Sequence, residues 1–575
     1  MSLQILLKAS INTLRVKLGG IANARKMLAD GGYVTEDGTH YTRTVDLTDR
    51  DDNNNDSDPE ATTTDTSQLE LFVIDNVVEV VKAAKAVKVK STPAVLTSEI
   101  DPLEDDEDDW SDLPLEEDTW TEENDDDTSF DDYPDCCEDV ASNIADENRA
   151  TIVTSYLLGS HVDKPVWKAL MAHAVEEDAH IVVIAHRYSN PTNIQKSLRE
   201  EEGASYIDPL VKPYLCWEDH TVNNHTIAAS VRINPTTINP LASAKRFCTG
   251  HTIIGHSIQT MTVKPTTVRQ MPNVLWTTGT VSQIEPSDNL KAKVAQFHYK
   301  FGWILVNTDG SSTNIHTTKD GKFTDLNKDW NGESWQEPYY KAVVWGDYHH
   351  GTTSPEAKNW AIGITRQLRP DLLVLHDFID ASTVNPHASN YERSLHFDGS
   401  LEKELFSCSK ELVSLYRSCN ASEIGLVVSN HNDMVSRYLN GSKVSDLSRG
   451  DQLVLARWLL AGKSPERLVK SWVQEIAEVP LRLLNEATEP DVITLGLHGD
   501  VGANGSKGSI AQYFNQSIKC VVGHGHSANI LGGANQVGTL THLRVGYNDR
   551  GLSNWINSIA TINAYDKVQH HIMFY

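Results

Sequence analysis

Residues 520–533, CVVGHGHSANILGG, place two histidines one residue apart directly after a short apolar run. The run CVV predicts a strand, because β-branched residues favour extended backbone. Residues two apart on such backbone point to the same side, so His524 and His526 leave the strand together. Gly525 between them lets the backbone pass close to a bound group. The stretch therefore predicts a group held between two imidazoles at the end of a strand.

Four earlier segments of residues 341–575 also join an apolar run to side chains that can bind a metal. They read AVVWGDYHHG, LLVLHDFID, IGLVVSNHND and VITLGLHGD, and longer helical stretches such as SRGDQLVLARWLLAGKSPERLVKSWVQEIAEVPLRLLNE separate them. This alternation predicts a layered α/β sheet whose functional groups gather at a single sheet edge. Taken singly, an Asp or His after a strand is more often a helix cap. Together, the carboxylate, amide and imidazole groups suit a pair of divalent ions.

In their order, the five segments resemble the motifs of the calcineurin-like metallophosphoesterases. Those motifs are D-x-H, G-D-x-x-D, G-N-H-[DE], a lone H and G-H-x-H. Here they stand as Asp347-Tyr348-His349, His376-Asp377-Phe378-Ile379-Asp380, Ser429-Asn430-His431-Asn432, His498 and Gly523-His524-Gly525-His526. The resemblance implies a metallophosphoesterase β-sandwich flanked by helices over residues 341–575.

The resemblance also implies a role for each matching residue. One ion would be bound by Asp347, His349 and His526, the other by Asn430, His498 and His524, and Asp377 would bridge them. Mn²⁺ is the expected metal, with Fe²⁺, Zn²⁺ and Mg²⁺ as alternatives. Two ions about 3.5–4 Å apart would lower the pKa of a shared water, and the resulting hydroxide would attack phosphorus. His431 would stabilise the developing charge and protonate the leaving oxygen.

The motifs depart from the family pattern at three positions. His376 and Ser429 replace glycines, and Asn432 stands where an acid usually orients the catalytic histidine. Either Asp433 takes that orienting role or His431 is less strongly polarised. We expect the additional histidines not to be ligands and Cys520 to belong to the core; these histidines are His350, His387 and His396.

The rest of the chain divides by composition into three further regions. Residues 1–48 carry a helical pattern, LLKASINTLRVKLGGIANARKMLADGG, and then two short strands around Asp37-Gly38, which is typical either of a small winged-helix module or of a helical extension. Residues 49–148 are an acidic linker. Residues 149–340 begin with a strand, a helix with Pro165 in its first turn and a second strand, which predicts an accessory α/β domain.

The formal net charge of −29 is concentrated in the acidic linker. Residues 49–140 hold 32 acidic and 5 basic residues, so the rest of the chain is close to neutral. Such a density of like charge predicts a solvated, largely disordered segment. Alternatively, residues 101–140, which include Trp110 and Trp120, mimic nucleic acid and cover a basic surface in cis or bind a basic partner.

The cysteine pattern and the hydropathy predict a cytoplasmic protein that does not enter a membrane. The seven cysteines show no paired spacing, and no stretch approaches about 20 uninterrupted apolar residues. If a phage encodes the chain, the compartment is the cytoplasm of the host cell.

Residues 150–575 further resemble the two-part pre-early DNases of T-five-like bacteriophages, through TIVTSYLL, AHRYSNPT, RINPTTINPL, WTTGTVS and AQFHYKFG. That resemblance implies a metal-dependent nuclease, expected to be a homo-oligomer, that degrades host DNA early in infection. Two alternatives stay open: a metallophosphatase acting on nucleotides or phosphoproteins, and a non-enzymatic DNA mimic or scaffold with a decayed phosphoesterase core. Candidate contacts to DNA phosphates are Arg437, Lys507, Arg544, His186 and Arg187.

Overall fold

The computed structural model describes residues 149–186, 206–267, 270–283, 290–485, 492–545 and 548–575, and the backbone of three strands near the N terminus. The chain divides into two compact units, Met1–Asp131 and Asp132–Tyr575. The acidic residues 49–148 and the candidate phosphate contact Arg187 lie outside the described residues, so the predictions made for them stay predictions.

The first unit contains a three-stranded antiparallel sheet of order β1-β3-β2. Its strands are β1 (Gln4–Ser10), β2 (Val34–Thr35) and β3 (His40–Asp46). The two strands predicted around Asp37-Gly38 are therefore present as β2 and β3. The helix predicted to begin at Leu6 is wrong at its start, because Leu6 lies in β1 and pairs with Thr44. The remainder of that helical pattern lies outside the described residues.

A five-stranded sheet organises the beginning of the second unit, in the order β13-β12-β4-β5-β6. The predicted strand–helix–strand unit is confirmed, since β4 and β5 are parallel and joined by α1, with Asp163 as N-cap and Pro165 in the first turn. The elements are β4 (Thr151–Leu157), α1 (Lys164–Glu176), β5 (His180–His186), β6 (Leu215–Cys216), β12 (Gly302–Val306) and β13 (Ser312–His316).

A six-stranded sheet organises residues 340–575, in the order β20-β19-β18-β17-β24-β25. The four strands from β17 to β20 are parallel, and β24 and β25 are antiparallel additions. The strands are β17 (Tyr340–Trp345), β18 (Leu372–Leu375), β19 (Glu423–Val427), β20 (Leu481–Leu484), β24 (Ser558–Asn563) and β25 (Val568–Ile572). The last part of the predicted helical stretch, LRLL, is β20, so the helical prediction is wrong there.

An eight-stranded sheet joins the two regions, in the order β21-β23-β22-β10-β11-β9-β8-β7. Strands from both sides of residue 340 meet where Met261 of β10 pairs with Ile530 of β22. Residues 149–340 and 341–575 therefore share one sheet. Its strands are β7 (His220–Val222), β8 (His225–Ile227), β9 (His251–Ile254), β10 (Met261–Lys264), β11 (Asn273–Thr277), β21 (Cys520–Val522), β22 (Asn529–Leu531) and β23 (Ala534–Gln536).

The remaining strands and helices cover these sheets. A small sheet holds β14 (Phe323–Asp325), β15 (Lys328–Trp330) and β16 (Trp335–Gln336). The other helices are α2 (Leu241–Ala244), α3 (Leu290–His298), α4 (Pro355–Leu368), α5 (Asn390–Leu395), α6 (Leu401–Cys419), α7 (Asn430–Gly441), α8 (Arg449–Leu460), α9 (Pro465–Ile476) and α10 (Ile510–Asn515). Within the described ranges, no helix has both the length and the hydrophobicity needed to cross a membrane.

The six-stranded sheet is buried on both faces. Val343 and Trp345 belong to a core cluster with residues of the helices, including Leu405 of α6, whereas Val344 belongs to a cluster with Val521 of β21. Successive residues of a strand point to opposite faces. One face of the sheet therefore packs on helices and the other on β21, and the chain has the mixed α/β content that its sequence predicts.

Residues 149–340 repeat the topology of residues 341–575. The order β12-β4-β5 in the first sheet corresponds to β24-β17-β18 in the second, with the same parallel and antiparallel pairings. The shared sheet shows the same repeat. In the first half β11 pairs parallel with β9 and antiparallel with β10, and in the second half β23 pairs parallel with β21 and antiparallel with β22.

Isolated β-bridges, which are single pairs of residues outside the named strands, align the two halves residue by residue. Thr280 bridges Ser155 and Phe301, just as Thr539 bridges Asp347 and Asn557. Each threonine hydroxyl also donates to the main-chain carbonyl of its bridge partner, Ser155 or Asp347, at 3.1 and 2.9 Å. Ser155 therefore occupies the position in the first half that Asp347 occupies in the second.

Candidate metal centre

The chain brings the predicted metal ligands together from the ends of several elements. Asp347 and Asp377 each follow a strand of the six-stranded sheet by two residues, Asn430 begins α7 after β19, and His524 follows β21. The prediction of a single sheet edge is wrong, because β21 belongs to the eight-stranded sheet. The segment around His498 was predicted to contain a strand, and its only strand-like pairing among the described residues is the bridge from Thr494 to Cys520.

One group of potential ligands consists of Asp347, His349, Asp377 and His526, whose ligand atoms all lie within 4.8 Å of one another. Nε2 of His526 lies 3.2 Å from Oδ2 of Asp347 and 3.0 Å from Nε2 of His349. Nε2 of His349 lies 3.7 Å from Oδ2 of Asp377. Two carboxylates and two imidazoles thus converge on one point.

A second group shares Asp377 with the first and adds His498 and His524. Nε2 of His498 lies 3.0 Å from Oδ2 of Asp377, and the rings of His498 and His524 meet edge to face. The carboxylate of Asp377 therefore lies between two imidazole-containing groups. The family resemblance divides these residues in the same way and adds Asn430 to the second set; their assignment as metal ligands stays a prediction.

Several oxygens of the potential ligands are buried and accept no hydrogen bond from any residue that the structure describes. They are both carboxylate oxygens of Asp347, Oδ1 of Asp377 and Oδ1 of Asn430. Burying a polar atom without a partner costs free energy, so buried oxygens are nearly always satisfied. Bound cations would satisfy such oxygens, and carboxylate, amide and imidazole donors suit Mn²⁺, Fe²⁺ or Zn²⁺. The structure thus contains buried clusters of His and Asp residues that could hold a metal ion.

The pKa values of the two buried carboxyl groups, Asp347 and Asp377, are shifted in opposite directions. Burial raises the pKa of Asp347 to about 7. Burial acts in the same direction on Asp377, but the neighbouring imidazoles, His498 first, hold the pKa of Asp377 well below its usual range. Conversely, burial alone would lower the pKa of His498, and the carboxylate of Asp377 raises it to about 9. Metal binding must therefore displace protons from this site.

Four of the potential ligands adopt left-handed backbone, which only glycine adopts readily. The φ angles are 46° for His349, 42° for Asp377, 68° for His524 and 49° for His526. Each such residue costs roughly 1–3 kcal/mol and persists only where the surrounding structure imposes it. Strained residues of this kind concentrate at functional sites, and here they turn the chain sharply so that consecutive motifs face one point.

Gly525 is required by the crowding between His524 and His526. A Cβ at this position would lie 2.0 Å from Nε2 of Gln536, which donates to the carbonyl of Ser527 at 2.9 Å. The glycine therefore lets the two histidines stay close to the neighbouring strand β23.

We expect Gly525→Ala to destabilise the fold by about 1–3 kcal/mol, since the added methyl displaces Gln536 from a tightly packed site. Thermal unfolding of the metal-free protein measures the change. Gly363→Ala is the matched control, because a Cβ at the exposed Gly363 of α4 meets no atom within 4 Å and should stabilise the helix by about 0.5–1 kcal/mol. Equal unfolding temperatures for the two variants would contradict this account.

His431 lies beside the first group without belonging to it. Its Nδ1 lies 2.6 Å from the main-chain carbonyl of Asp380, so Nδ1 carries the proton and Nε2 is the unprotonated nitrogen of the neutral ring. The side chain is 18 % exposed, and its ring meets that of His349 edge to face. Neither Asn432 nor Asp433 is the partner of Nδ1. Asn432 is buried and donates to the carboxylate of Glu466 instead.

Three further residues, to which the sequence motifs assign no role, support the site. The carboxylate of Asp380 lies 2.9 Å from Nδ1 of His349, so Asp380 orients both His349 and His431. Trp555 packs edge-on against His526 with ring centroids 4.0 Å apart. His376 is fully buried beside His498, and none of the described residues bonds its Nε2. The role of Asp380 could have been predicted from the sequence, because Asp380 is the last residue of the G-D-x-x-D motif. No sequence motif indicated a role for Trp555.

The additional histidines and the candidate phosphate contacts have varied environments. His350 is stacked on Phe378 and bonds Ser407. The prediction for His186 is wrong, because its side chain is 2 % exposed and bonds Ser257 at 2.8 Å. The guanidinium of Arg544 donates to the carbonyls of Asn548 and Thr266. The side chains of Arg437 and Lys507 are exposed, and their contact with phosphate stays a prediction.

The repeated half lacks the corresponding ligands. Ser155 stands at the position of Asp347, and two residues later Leu157 stands at the position of His349. His256, which follows β9 as His524 follows β21, bonds the carbonyl of Asn234 and the main-chain N–H of Ile258. At these three positions the first half therefore keeps the fold of the second without an available metal ligand.

A separate group of titratable residues, His173, Glu177 and Asp325, lies at α1 and β14. Both ring nitrogens of His173 are already used, since Nδ1 accepts from the indole N–H of Trp303 at 2.9 Å and Nε2 faces Asp325 at 3.1 Å. This group is a satisfied hydrogen-bond network of the core.

Comparisons of the chain with protein-family models, with curated proteins and with solved structures found no match.

Proposed function

We propose that this chain is a metal-dependent phosphodiesterase that cleaves DNA. The observation that carries the proposal is the sharing of the buried carboxylate of Asp377 between two imidazole-containing groups, together with the buried oxygens of Asp347 and Oδ1 of Asp377, which have no hydrogen-bond donor among the described residues. That arrangement fits a pair of divalent ions, with Asp347, His349 and His526 on one side and Asn430, His498 and His524 on the other. When bound, such a pair supplies Lewis acidity and lowers the pKa of a water between the ions.

The chain's own residues supply the remaining chemistry. Nδ1 of His431 is held by the carbonyl of Asp380, which leaves Nε2 to face the substrate. A protonated Nε2 can give its proton to the leaving oxygen and stabilise charge developing on the phosphate. Asp380 also holds His349 through its carboxylate, so one residue fixes a ligand and the acid relative to each other.

DNA as the substrate rests on the sequence resemblance to phage pre-early DNases and on the accessory half. A phosphatase for small esters does not need a second copy of its fold, whereas a polymeric substrate can lie across two adjacent halves. Within this proposal the layered sandwich of residues 341–575 is the catalytic module and Mn²⁺ is the expected metal. The homo-oligomer and the masking role of residues 101–140 belong to the same proposal.

The test is cleavage of linear and circular DNA by the purified protein with Mn²⁺, Mg²⁺, Zn²⁺ or chelator. We expect cleavage with Mn²⁺ and none with chelator, and loss of circular substrate would add endonuclease action. Turnover of an aryl phosphate monoester without DNA cleavage under any metal would reject the nuclease in favour of a metallophosphatase. Absence of both reactions, in protein that binds no metal, would favour a decayed core.

A further inference from the structure

A cavity of about 90 Å³ lies where the two halves meet, away from the metal centre. One wall comes from the first half, after α3 and at the end of β13, and the other from the segments that precede β21 and β25. Four side chains that can carry positive charge line it, and they come from four separate segments of the chain: Lys300, His316, Lys519 and Lys567.

The described residues give the cavity almost no compensating negative charge. Among those that line it, the only acidic residue is Asp566, whose carboxylate is already paired with Lys341 at 2.6 Å. Among the described residues, no hydrogen bond or ion pair engages the ammonium groups of Lys300, Lys519 and Lys567 or the ring of His316. Cations that are held together in a partly enclosed space without a counter-charge destabilise the fold.

The titration behaviour agrees with this geometry. Burial first, and then the neighbouring Lys567 and Lys519, lower the pKa of Lys300 to about 8. Burial and the charges of all three lysines, Lys300 first, hold the pKa of His316 well below its usual range. The three lysines therefore repel one another across the cavity.

The neutral amides around the cavity are committed to the fold. Nε2 of Gln259 donates to main-chain carbonyls that include Trp303 and Ile315, and Nδ2 of Asn535 donates to Cys520 and Gly533. The charged side chains are therefore the groups left to recognise a ligand. Each ammonium offers three rotatable donors.

We propose that this cavity binds one phosphate group, either as inorganic phosphate or as the phosphate of a nucleotide. Its volume suits a single tetrahedral oxyanion. A phosphate dianion offsets the charge of three lysines more completely than a carboxylate does, and four oxygens can accept from donors that converge from several directions. The ligand would also join the two halves, since Lys300 belongs to one and Lys519 and Lys567 to the other.

The cavity is a separate site from the metal centre. Lys519 directly precedes β21 and His524 follows its other end. None of the described residues that line the cavity belongs to a group of potential metal ligands. Phosphate binding here can therefore be measured on metal-free protein, where the proposed catalytic site has no ion to attract it.

The experiment is thermal unfolding and calorimetric titration of the full-length, chelator-treated protein with inorganic phosphate and, separately, with a nucleoside monophosphate. We expect either compound to raise the unfolding temperature of the wild type. Lys300→Gln should unfold at the same temperature as the wild type or higher without ligand, because it removes repulsion, and should bind phosphate at least tenfold more weakly. Lys293→Gln, on the exposed face of α3, is the control and should bind as the wild type does.

The two arms identify the source of the phosphate. Binding of inorganic phosphate indicates that the free ion suffices, whereas binding of the nucleotide alone indicates that an adjoining nucleoside is also recognised. Stabilisation by neither compound, or equal stabilisation of wild type and Lys300→Gln, overturns the proposal. Should Lys300→Gln not fold, the exposed Lys519→Gln provides the same comparison.

Discussion

Asp377→Asn should lower metal-dependent DNA cleavage by at least about a thousandfold. The carboxylate of Asp377 lies 3.0 Å from His498 and 3.7 Å from His349, and it is the one potential ligand common to both groups. The neutral amide keeps the shape but removes the negative charge that would hold two cations together. Bound metals stabilise transition-state charge by several kcal/mol, and each 1.36 kcal/mol changes a rate tenfold.

Metal content separates this prediction from simple unfolding. The variant should retain fewer than two equivalents of Mn²⁺ after equilibrium dialysis while unfolding cooperatively. Asp549→Asn, at an exposed position, should keep both the metal content and the activity of the wild type. Full activity of Asp377→Asn with two bound ions would remove Asp377 from the proposed bridging position.

His431→Ala should lower the turnover number about 10²–10⁴-fold while leaving metal content and KM near their wild-type values. Removal of a general acid typically costs this much. His431 lies close to His349 and Asp380 but outside both groups that share Asp377. The ring is held by the Asp380 carbonyl, so its loss leaves the carboxylate of Asp380 in place on His349.

The leaving group provides the sharper measurement for His431. A diester with an aryl leaving group needs little protonation, so its cleavage should fall far less in His431→Ala than that of DNA. His220→Ala, on the edge strand β7, is the control. An equal loss for both substrates would show that His431 acts on metal or substrate binding and not as the acid.

The motifs could be read from the sequence because each joins a strand to its functional side chain within a few residues. The alternation of apolar runs and helices likewise predicted β17, β18 and β19. The local sequence pattern gave wrong predictions where tertiary contacts decide the structure. LRLL of β20 is a strand because it pairs with β19, and the segment of Thr494 makes, within the described ranges, a single β-bridge.

Other features depend on contacts between distant segments and left no local signal. Ser155 and Asp347 occupy equivalent positions although their chemistry differs, and of the four residues that follow each of them only a tyrosine and a glycine recur. The partner of His431 is a main-chain carbonyl, which no residue type encodes. Lys300 and Lys567 are ordinary surface-type residues in the sequence, and only the meeting of four segments makes a cationic cavity.

The sheet that crosses residue 340 has a consequence for synthesis on the ribosome. Met261 of β10 pairs with Ile530 of β22, which is made 269 residues later. At roughly 5–20 residues per second, the edge of β10 waits about 15–50 s for its partner. Through that interval the nascent chain carries an open strand edge, a template for wrong pairing with neighbouring chains. The first half is therefore expected to need chaperone protection until the second has emerged.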